Sequence, residues 1–383
     1  MELTPKQQTT EQIRAAEKIL VLTHFNPDGD ALGALLALYL ILKKLGKDVT
    51  AVVPETVPAT FSFMPNITEV HNSYAGTKDF IITLDTTKAQ VNKLGYKHIP
   101  EENKLNIVIT PHSGTFRRED LTFSYGSFKY DLIIVLDSSD LERLGPLYEG
   151  QNALFFETPV INIDHHAGND FFGKINWVDL TATSTSEILV SLIESLAREK
   201  PLLDEDIATA LLTGIITDTG SFQNANTTPK SLTVAAQLVA AGARQQEIIR
   251  HVFKTKPLST LKLWGKILES VRQDTDHRFI WAKVTKTDFM ETGASENETS
   301  GVIDELLKSA PDIDFVLLLV EKEDFLHGSM RAVVSGVDVA AMAKLFGGGG
   351  HEAAAAFQIP GATLLGNEGE IIEKVKEYQS RRS

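Results

Sequence analysis

Histidine and aspartate side chains follow the first strongly apolar run of the sequence, where a β-strand would end. His24, Asp28 and Asp30 lie there, around a turn that contains Pro and Gly. Within seven residues they offer one nitrogen and two carboxylate ligands, a set that suits a divalent cation. The same residues also have a purely structural interpretation, since Asp30 could cap the following helix and His24 could be an ordinary surface histidine. Both interpretations remain open for this segment taken alone.

Three later segments carry the same residue types. Asp137 follows a second apolar run, Asp164, His165 and His166 follow a third, and Asp218 lies where a helical pattern ends. An isolated aspartate at such a place is more typical of a turn or a helix cap than of a catalytic site. The adjacent histidines are more informative, because neighbouring side chains on an extended backbone point in opposite directions. One imidazole can therefore bind a metal ion while the other faces a substrate.

The combined set is rich in oxygen and contains two imidazoles, which favours two octahedral divalent ions of the manganese or magnesium kind over structural zinc. Its members are His24, Asp28, Asp30, Asp137, His165 and Asp218. Two-metal hydrolysis of a phosphate ester requires a carboxylate that bridges ions about 3.5 to 4 Å apart. Asp137, which arrives alone from a central predicted strand, is the best candidate for that bridge.

The elements that would position these residues alternate between strands and helices, which predicts an α/β domain with a mostly parallel sheet. The predicted strands are 19–23, 49–53, 80–84, 106–110, 132–136 and 160–163, and the predicted helices are 31–45, 186–197 and 206–216. The strands are almost continuously apolar, as in a sheet that is covered on both faces. Ligands bind at the carboxyl ends of the strands in such sheets, so the histidines and aspartates would meet at one edge.

The chain changes character after residue 228. Only helical patterns follow until residue 271, and a second alternation then begins, with strands at 278–284, 315–320 and 330–334 and helices at 298–308, 338–345 and 369–378. We therefore predict a first α/β domain over residues 1–228, a helical connector over 229–271, and a smaller α/β domain over 272–383. Four glycines at 347–350 precede His351, and they could form either a hinge or a phosphate-binding loop.

Composition excludes several classes of protein. The 383 residues contain no cysteine, so disulfides, iron–sulfur clusters and thiol catalysis are excluded. The net charge of −14 argues against binding along duplex nucleic acid. The longest apolar run, 31–42, is too short to span a bilayer, and the polar first 18 residues show no secretory signal, which together predict a cytoplasmic protein without membrane contact. No P-loop, nucleophile elbow, zinc-protease motif or dinucleotide fingerprint is present.

Five segments of the sequence resemble the motifs of one enzyme family in order and spacing. The stretches 24–31 (HFNPDGDA), 136–145 (LDSSDLERLG), 164–166 (DHH) and 213–220 (TGIITDTG) resemble the four successive motifs of the DHH phosphoesterase family, and 347–351 (GGGGH) resembles the signature of its accompanying DHHA1 domain. The resemblance covers nearly the whole chain. Within the family, the sequence is most similar to the nanoRNase and oligoribonuclease branch, whose members also act as 3′-phosphoadenosine 5′-phosphate phosphatases.

The resemblance implies an active site in the cleft between the parallel-sheet DHH domain and the smaller DHHA1 domain. Two divalent cations are implied, manganese ahead of magnesium or cobalt. One ion would be held by His24, Asp28 and Asp137, and the other by Asp30, Asp137, His165 and Asp218. His166 would contact the scissile phosphate, and Asp164 would orient its neighbours. The substrate's phosphate would be bound by Arg331, Gly347, Gly348, Gly349, Gly350 and His351.

These implications predict hydrolysis of very short oligoribonucleotides to mononucleotides and of 3′-phosphoadenosine 5′-phosphate to AMP. A cyclic- or linear-dinucleotide phosphodiesterase is the first alternative, followed by an inorganic pyrophosphatase and a noncatalytic nucleotide-binding regulator. The expected partners are short oligoribonucleotides or a nucleotide bisphosphate, and a homodimer is left open.

Three features depart from the family pattern. The chain before Asp137 is longer than usual, with an insertion at about residues 86–130 whose purpose the sequence does not indicate. Asp85 ends an earlier predicted strand and is a rival for the role of Asp137, but it lacks the downstream Leu-Glu-Arg-Leu-Gly. Ala356 stands where the family commonly has glycine.

Overall fold

The computed structural model describes residues 3–197 and 201–381, so residues 1–2, 198–200 and 382–383 of the predicted domains lie outside it. The chain divides into two compact units, Met1–Lys254 and Thr255–Ser383. This division falls inside the segment predicted as a helical connector, which consists of helices as expected. The three-part domain organisation stays a prediction.

Unit 1 contains seven helices and nine strands among the residues that the structure describes. The helices are α1 (Pro5–Ala15), α2 (Gly29–Lys44), α3 (Asn152–Glu157), α4 (Thr185–Leu196), α5 (Glu205–Asp218), α6 (Pro229–Ala240) and α7 (Gln245–Phe253). The strands are β1 (Lys18–Leu22), β2 (Asp48–Val52), β3 (Lys78–Leu84), β4 (Val91–Ile99), β5 (Lys104–Pro111), β6 (Leu121–Phe128), β7 (Leu132–Leu136), β8 (Val160–Asp164) and β9 (Ile175–Val178).

Five of these strands form a fully parallel sheet in the order β2-β1-β7-β8-β9, which confirms the predicted α/β class. Successive residues of β7 enter two different cores. Ile134 packs into the larger cluster with the helices, whereas Ile133 and Val135 pack against Leu144 and Phe155 on the other face. Burial on both faces explains why this strand reads as a continuous apolar run.

Helices α2 and α5 pack closely, and this contact brings two of the predicted site segments together. A Cβ at Gly33 of α2 would lie only 2.4 Å from the carbonyl oxygen of Ala210 in α5. Glycine therefore permits a backbone approach that any side chain would prevent. The approach places the N-terminus of α2, with Asp28 and Asp30, beside the C-terminal end of α5, where Asp218 lies.

Two of the six predicted parallel strands were assigned to the wrong sheet. Residues 80–84 lie in β3, which pairs antiparallel with β6, and residues 106–110 lie in β5, which pairs antiparallel with β4. Parallel strands need a long crossover, usually a helix, and no helical pattern separates these segments. Local hairpin pairing is the available alternative. We call residues 78–128, with these two nested ribbons, the arm.

Unit 2 contains five helices and six strands in its described residues. The helices are α8 (Leu258–Ser270), α9 (Lys286–Thr292), α10 (Val302–Glu305), α11 (Val339–Lys344) and α12 (Leu364–Ser380). The strands are β10 (Arg272–Asp274), β11 (Phe279–Val284), β12 (Phe315–Glu321), β13 (Phe325–Ala332), β14 (Gly349–His351) and β15 (Ala354–Pro360). They form one mixed sheet in the order β10-β11-β12-β13-β15-β14.

The structure corrects three expectations for unit 2. The helix predicted over 298–308 is broken into short 3-10 turns on either side of α10, where Gly301 has a left-handed backbone with φ of 86°. The strand predicted at 330–334 lies earlier, at Phe325–Ala332. The glycine- and alanine-rich segment contributes strands β14 and β15, although both residue types are depleted in strands.

In the described parts of the chain, no helix combines the length and the apolar composition that crossing a lipid bilayer requires.

Candidate metal centre

The loop after β1 presents His24, Asp28 and Asp30 in different ways. The Nδ1 atom of His24 lies 2.7 Å from the carbonyl oxygen of Phe25, so a proton on Nδ1 leaves Nε2 free to accept a cation. Asp28 is the N-cap of α2 and accepts hydrogen bonds from the amides of Asp30 and Ala31 through Oδ1. The helix-capping interpretation therefore applies to Asp28 rather than to Asp30. The second carboxylate oxygen of Asp28 remains available to bind a cation.

Asp137 stands directly after β7 and is buried. Its backbone is left-handed, with φ of 56°, a conformation that aspartate tolerates better than most residues and that is common at functional turns. The two carboxylate oxygens face different imidazoles: Oδ2 lies 3.5 Å from Nε2 of His24, and Oδ1 lies 3.5 Å from Nε2 of His165. This carboxylate is thus placed between two histidines from different strands.

The two histidines after β8 have different closest partners, but their rings do not point in opposite directions as predicted, because the ring centroids lie only 4.4 Å apart. His165 turns inward, with Nε2 3.2 Å from Oδ2 of Asp218 and 4.0 Å from Oδ2 of Asp30. His166 is 41% exposed and directs Nδ1 to Oδ1 of Asp164 at 2.7 Å. Asp164 is fully buried, and Oδ2 accepts a further hydrogen bond from Asn169. One imidazole therefore joins the carboxylate cluster, and the other is held by Asp164 with its far side toward solvent.

The structure brings all of the predicted unit 1 residues together. Three groups offer one potential ligand atom per residue, with the atoms of each group within 4.8 Å of one another. The groups are His24, Asp28 and Asp137; Asp30, His165 and Asp218; and Asp137, Asp164, His165 and His166. The rival Asp85 lies at the end of β3 on the arm, where its carboxylate binds Thr87 and belongs to none of these groups.

The donor set fits divalent cations. The Nε2 atom of His165 is buried and makes no hydrogen bond, although carboxylate oxygens of Asp218 and Asp137 lie within 3.5 Å. Within residues 3–197 and 201–381, the ion pairs of the clustered aspartates involve histidine and neither lysine nor arginine. Several buried carboxylates without a fixed cation are costly, and a bound metal ion removes that cost.

The pKa values reflect this crowding. Burial, together with the charges of Asp137 and Asp218, raises the pKa of Asp30 well above its usual range. Burial also raises the pKa of Asp218 to about 6. For Asp137 burial acts in the same direction, but the nearby imidazoles of His165 and His24 outweigh it and hold its pKa far below normal. The surroundings of Asp137 therefore favour its ionised form, as a bridging ligand requires.

The N-terminus of α4 supports the cluster and was missed by the sequence analysis. Asp30 accepts hydrogen bonds from the backbone amides of Thr185 at 2.6 Å and Ser186 at 2.9 Å, and the hydroxyl of Thr185 donates to Oδ1 of Asp137 at 2.9 Å. Free amides at a helix N-terminus favour negative charge. Ser184 and Glu187 have the spacing of a helix start, so the position of this helix terminus was predictable from the sequence. Its contacts with the carboxylates of Asp30 and Asp137 were not.

Gly214 of α5 provides the space for the Asp30 carboxylate. A Cβ at Gly214 would lie 2.1 Å from Oγ of Ser186 and 2.3 Å from Oδ1 of Asp30. The Asp30 carboxylate is already held by the amides of the α4 terminus, to which Ser186 belongs. A glycine inside a helix lowers the stability of the helix. At Gly214 this local cost accompanies the space that the Asp30 carboxylate needs.

In unit 2, strand pairing places Arg331 and His351 on one face of the sheet. Arg331 pairs with Ala354, and Ala354 pairs with His351 on the next strand. Directly opposed residues share a face, so the guanidinium and the imidazole flank a small alanine across about 10 Å. Arg331 lies 3.6 Å from Asp304, measured from Nε to Oδ2.

The four glycines are ordered rather than a free hinge. The amides of Gly347 and Gly348 donate to carbonyls at the end of α11, and Gly349 and Gly350 lie in β14. Gly347 and Gly350 have positive φ values of 76° and 144°. The segment therefore turns tightly from a helix into the strand that carries His351.

The α/β folds of both units agree with the family matches. Residues 18–215 match the model of the DHH family, N-terminal domain, and residues 278–381 match that of the DHHA1 domain. The chain belongs to the DHH family.

Relatives extend the match along the whole chain. The bifunctional oligoribonuclease and PAP phosphatase NrnA of Thermus thermophilus is 30% identical over 373 residues, covering 97% of this chain and 93% of that protein. Its namesake in Bacillus subtilis is 28% identical over 228 residues, covering 60% of this chain and 70% of that protein. The crystal structure of an exopolyphosphatase-related protein from Bacteroides fragilis shares the fold, with a TM-score of 0.74, 22% identity and coverage of 98% and 96%. Family and donor set together identify the chain as a metal-dependent phosphoesterase that binds divalent cations.

Proposed function

We propose that this protein hydrolyses very short oligoribonucleotides to mononucleotides and also removes the 3′-phosphate of 3′-phosphoadenosine 5′-phosphate. The position of Asp137 carries the proposal, because its two oxygens face two separate groups of potential ligands. Similarity to the Thermus protein along nearly the full length of both chains supports this choice of substrates. The net charge of −14 is compatible with a short substrate that needs only a local anion site, and disfavours long duplexes.

Two divalent cations fit the ligand groups. His24, Asp28 and Asp137 would hold one ion, and Asp30, Asp137, His165 and Asp218 would hold the other. The mixture of carboxylates and imidazoles favours manganese, with magnesium and cobalt as the alternatives. Bound there, the ions would supply Lewis acidity at the phosphate and a template for in-line attack.

The remaining residues act on the phosphate or hold the ligands. The hydrogen bond to Asp164 raises the pKa of His166 and so favours the protonated imidazole, which can donate from Nε2 to a phosphoryl oxygen. Asp164 fixes that orientation from its buried position. Arg331 and His351, with the backbone of 347–350, would bind a further phosphate or the nucleotide. A guanidinium fork suits phosphate, and Ala354 leaves room between the two side chains.

A substrate panel tests the proposal. Manganese-dependent turnover is measured on labelled RNAs and DNAs of two to five residues, the adenosine bisphosphate, a cyclic dinucleotide and pyrophosphate. We expect mononucleotides from the short RNAs and AMP from the bisphosphate. Asp137→Asn should lower kcat at least 10³-fold, whereas Asp85→Asn, which changes a carboxylate on the arm, should leave kcat within twofold.

The other outcomes identify the alternatives. Turnover of pyrophosphate alone would make the protein a pyrophosphatase, and turnover of the cyclic dinucleotide alone a dinucleotide phosphodiesterase. If every substrate remains intact while Asp137→Ala still binds nucleotide, the protein is a noncatalytic regulator and the proposal is wrong. A cytoplasmic location belongs to the same proposal, since nucleotide substrates of this kind arise there.

A further inference from the structure

Ten of the seventeen exposed large hydrophobic residues in the described part of unit 1 lie on the arm, and strand register places most of them on one face of each ribbon. In the inner ribbon, Phe80 opposes Tyr125 and Ile82 opposes Phe123, so these side chains share a face. The rings of Phe80 and Phe123 stack at 5.9 Å between centroids. The opposite face pairs Thr83 with Thr122.

The outer ribbon repeats this division. Leu94, Tyr96, Leu105 and Ile107 lie on one face, because Tyr96 opposes Ile107 and the other two are separated from that pair by two residues. Lys97 opposes Asn106 on the other face, which also carries Lys93 and Lys104. Each ribbon therefore carries most of its exposed apolar residues on one face, although Ile81 and Val108 are exposed on the other face.

The apolar faces of the two ribbons are largely exposed. The three aromatic residues Phe80, Phe123 and Tyr125 and the four apolar residues of the outer ribbon are each between 47% and 78% exposed. At about 200 Å² per aromatic side chain and somewhat less per leucine or isoleucine, they leave on the order of 800 Å² accessible. Taken together, the faces of the two ribbons offer about the area that one partner contributes to a standard stable interface. An isolated two-stranded ribbon is also only marginally stable in water.

We propose that the apolar faces of the arm pack against the same faces of a second copy of this chain, forming a symmetric dimer. Amphipathic ribbons stack face to face as sheets do in a β-sandwich, and a two-fold axis makes one patch sufficient for both subunits. Charge favours this contact. The arm contains seven lysine and arginine residues against six aspartate and glutamate residues, so it carries +1 while the rest of the chain carries −15. Two acidic chains repel each other least at the arm.

Single-stranded RNA is the less suitable occupant. Surfaces that bind single strands combine stacked aromatic rings with cationic side chains in one groove. On the outer ribbon the cations Lys93, Lys97 and Lys104 lie on the face opposite Tyr96. On its own face Tyr96 is flanked by Leu94, Ile107 and His98, a mainly apolar setting that is typical of the core of an interface between proteins.

Sedimentation velocity of the full chain from 1 to 100 µM tests the proposal. We expect a dimer at 10 µM, and Tyr96→Thr with Ile107→Thr should raise the dissociation constant at least 100-fold. The matched control is Lys97→Thr with Asn106→Thr, an opposed pair on the polar face of the same two strands, and should change it less than threefold. Threonine keeps the strand propensity in both variants.

Three results would overturn the proposal. The wild-type chain could sediment as a monomer at 100 µM, or both variants could dissociate equally. The apolar-face variant could also leave the mass unchanged while weakening the binding of a fluorescent five-residue RNA, which would make the arm a nucleic-acid surface. If that variant does not fold, hydrogen exchange of the wild-type chain decides. Protection of amides in β4 and β5 must fall on dilution below the dissociation constant, and concentration-independent exchange would contradict the dimer.

Discussion

Replacing Gly214 with alanine tests whether the fold reserves space for the Asp30 carboxylate. The added Cβ would lie 2.1 Å from Oγ of Ser186 and 2.3 Å from Oδ1 of Asp30, whereas ordinary contacts begin near 3.4 Å. Something must therefore move by more than 1 Å. Asp30 cannot rotate away freely, because both of its oxygens accept backbone hydrogen bonds from the start of α4. We expect the carboxylate to be displaced.

The expected effect on stability is smaller than the effect on function. Alanine in a helix interior gains about 1 kcal/mol over glycine, and overpacking costs about 1 to 3 kcal/mol. The free energy of unfolding of Gly214→Ala should therefore change by about 0 to 2 kcal/mol in the unfavourable direction. A displacement of about 1 Å at a reacting centre costs about 10²-fold in rate. Manganese affinity should fall at least tenfold, as expected when a ligand is misplaced.

Thermal unfolding in EDTA, manganese calorimetry and steady-state kinetics measure the three quantities separately. Gly265→Ala is the matched control, since Gly265 lies in α8 with no atom near its missing Cβ. It should raise the free energy of unfolding by about 0.5 to 1 kcal/mol and leave metal affinity unchanged. The reasoning is refuted if Gly214→Ala binds manganese and turns over substrate like the wild-type protein. It is also refuted if the decreases in manganese binding and turnover are no larger than the decrease in the folded fraction.

Three further predictions concern separate residues. His166→Gln should lower kcat by about 10²- to 10⁴-fold with little change in manganese affinity, because in the proposed function its exposed imidazole acts on the phosphate. If metal binding is lost to the same extent as kcat, His166 is a metal ligand instead. Arg331→Lys keeps the positive charge but loses the forked N–H groups of the guanidinium. KM for the bisphosphate should therefore rise about tenfold while kcat stays within threefold. An unchanged KM would show that Arg331 does not bind the substrate. Hydrogen bonds from the Ser295 amide and from Thr260 lower the pKa of Glu298 to about 2. The contribution of ionised Glu298 to stability is therefore complete above about pH 4.5 and is lost as the pH falls toward 2. In an acid titration followed by circular dichroism, the folded structure of Glu298→Gln should be lost less steeply than that of the wild-type protein. Identical curves would contradict this prediction.

The clustering of the candidate ligands was largely predictable because most of them follow strand ends. β1, β7 and β8 are buried on both faces and read as apolar runs, so His24, Asp137 and Asp164 could be placed at one edge of a parallel sheet. The residue types then indicated divalent cations. The supporting contacts from Thr185 and Ser186 could not be found in this way, because they depend on how α4 is oriented toward α2.

The arm shows where apolar composition misleads. Residues 80–84 and 106–110 have the β-branched and aromatic content of core strands, yet they lie on exposed ribbons, and composition alone does not distinguish a covered face from an uncovered one. The opposite error occurred in unit 2. Strand β14 contains two glycines and β15 begins with three alanines, whose low strand propensity concealed both strands. In the folded sheet β15 pairs with β13, and β14 pairs with β15.

Anomalous diffraction from crystals grown with manganese tests the central claim most directly. The account predicts two peaks about 3.5 to 4 Å apart, one beside Oδ2 of Asp137 and near His24, the other beside Oδ1 and near His165. Crystals of Asp137→Asn grown in the same way should lose at least one peak. A single peak in the wild-type protein, or two peaks of which neither contacts Asp137, would contradict the account.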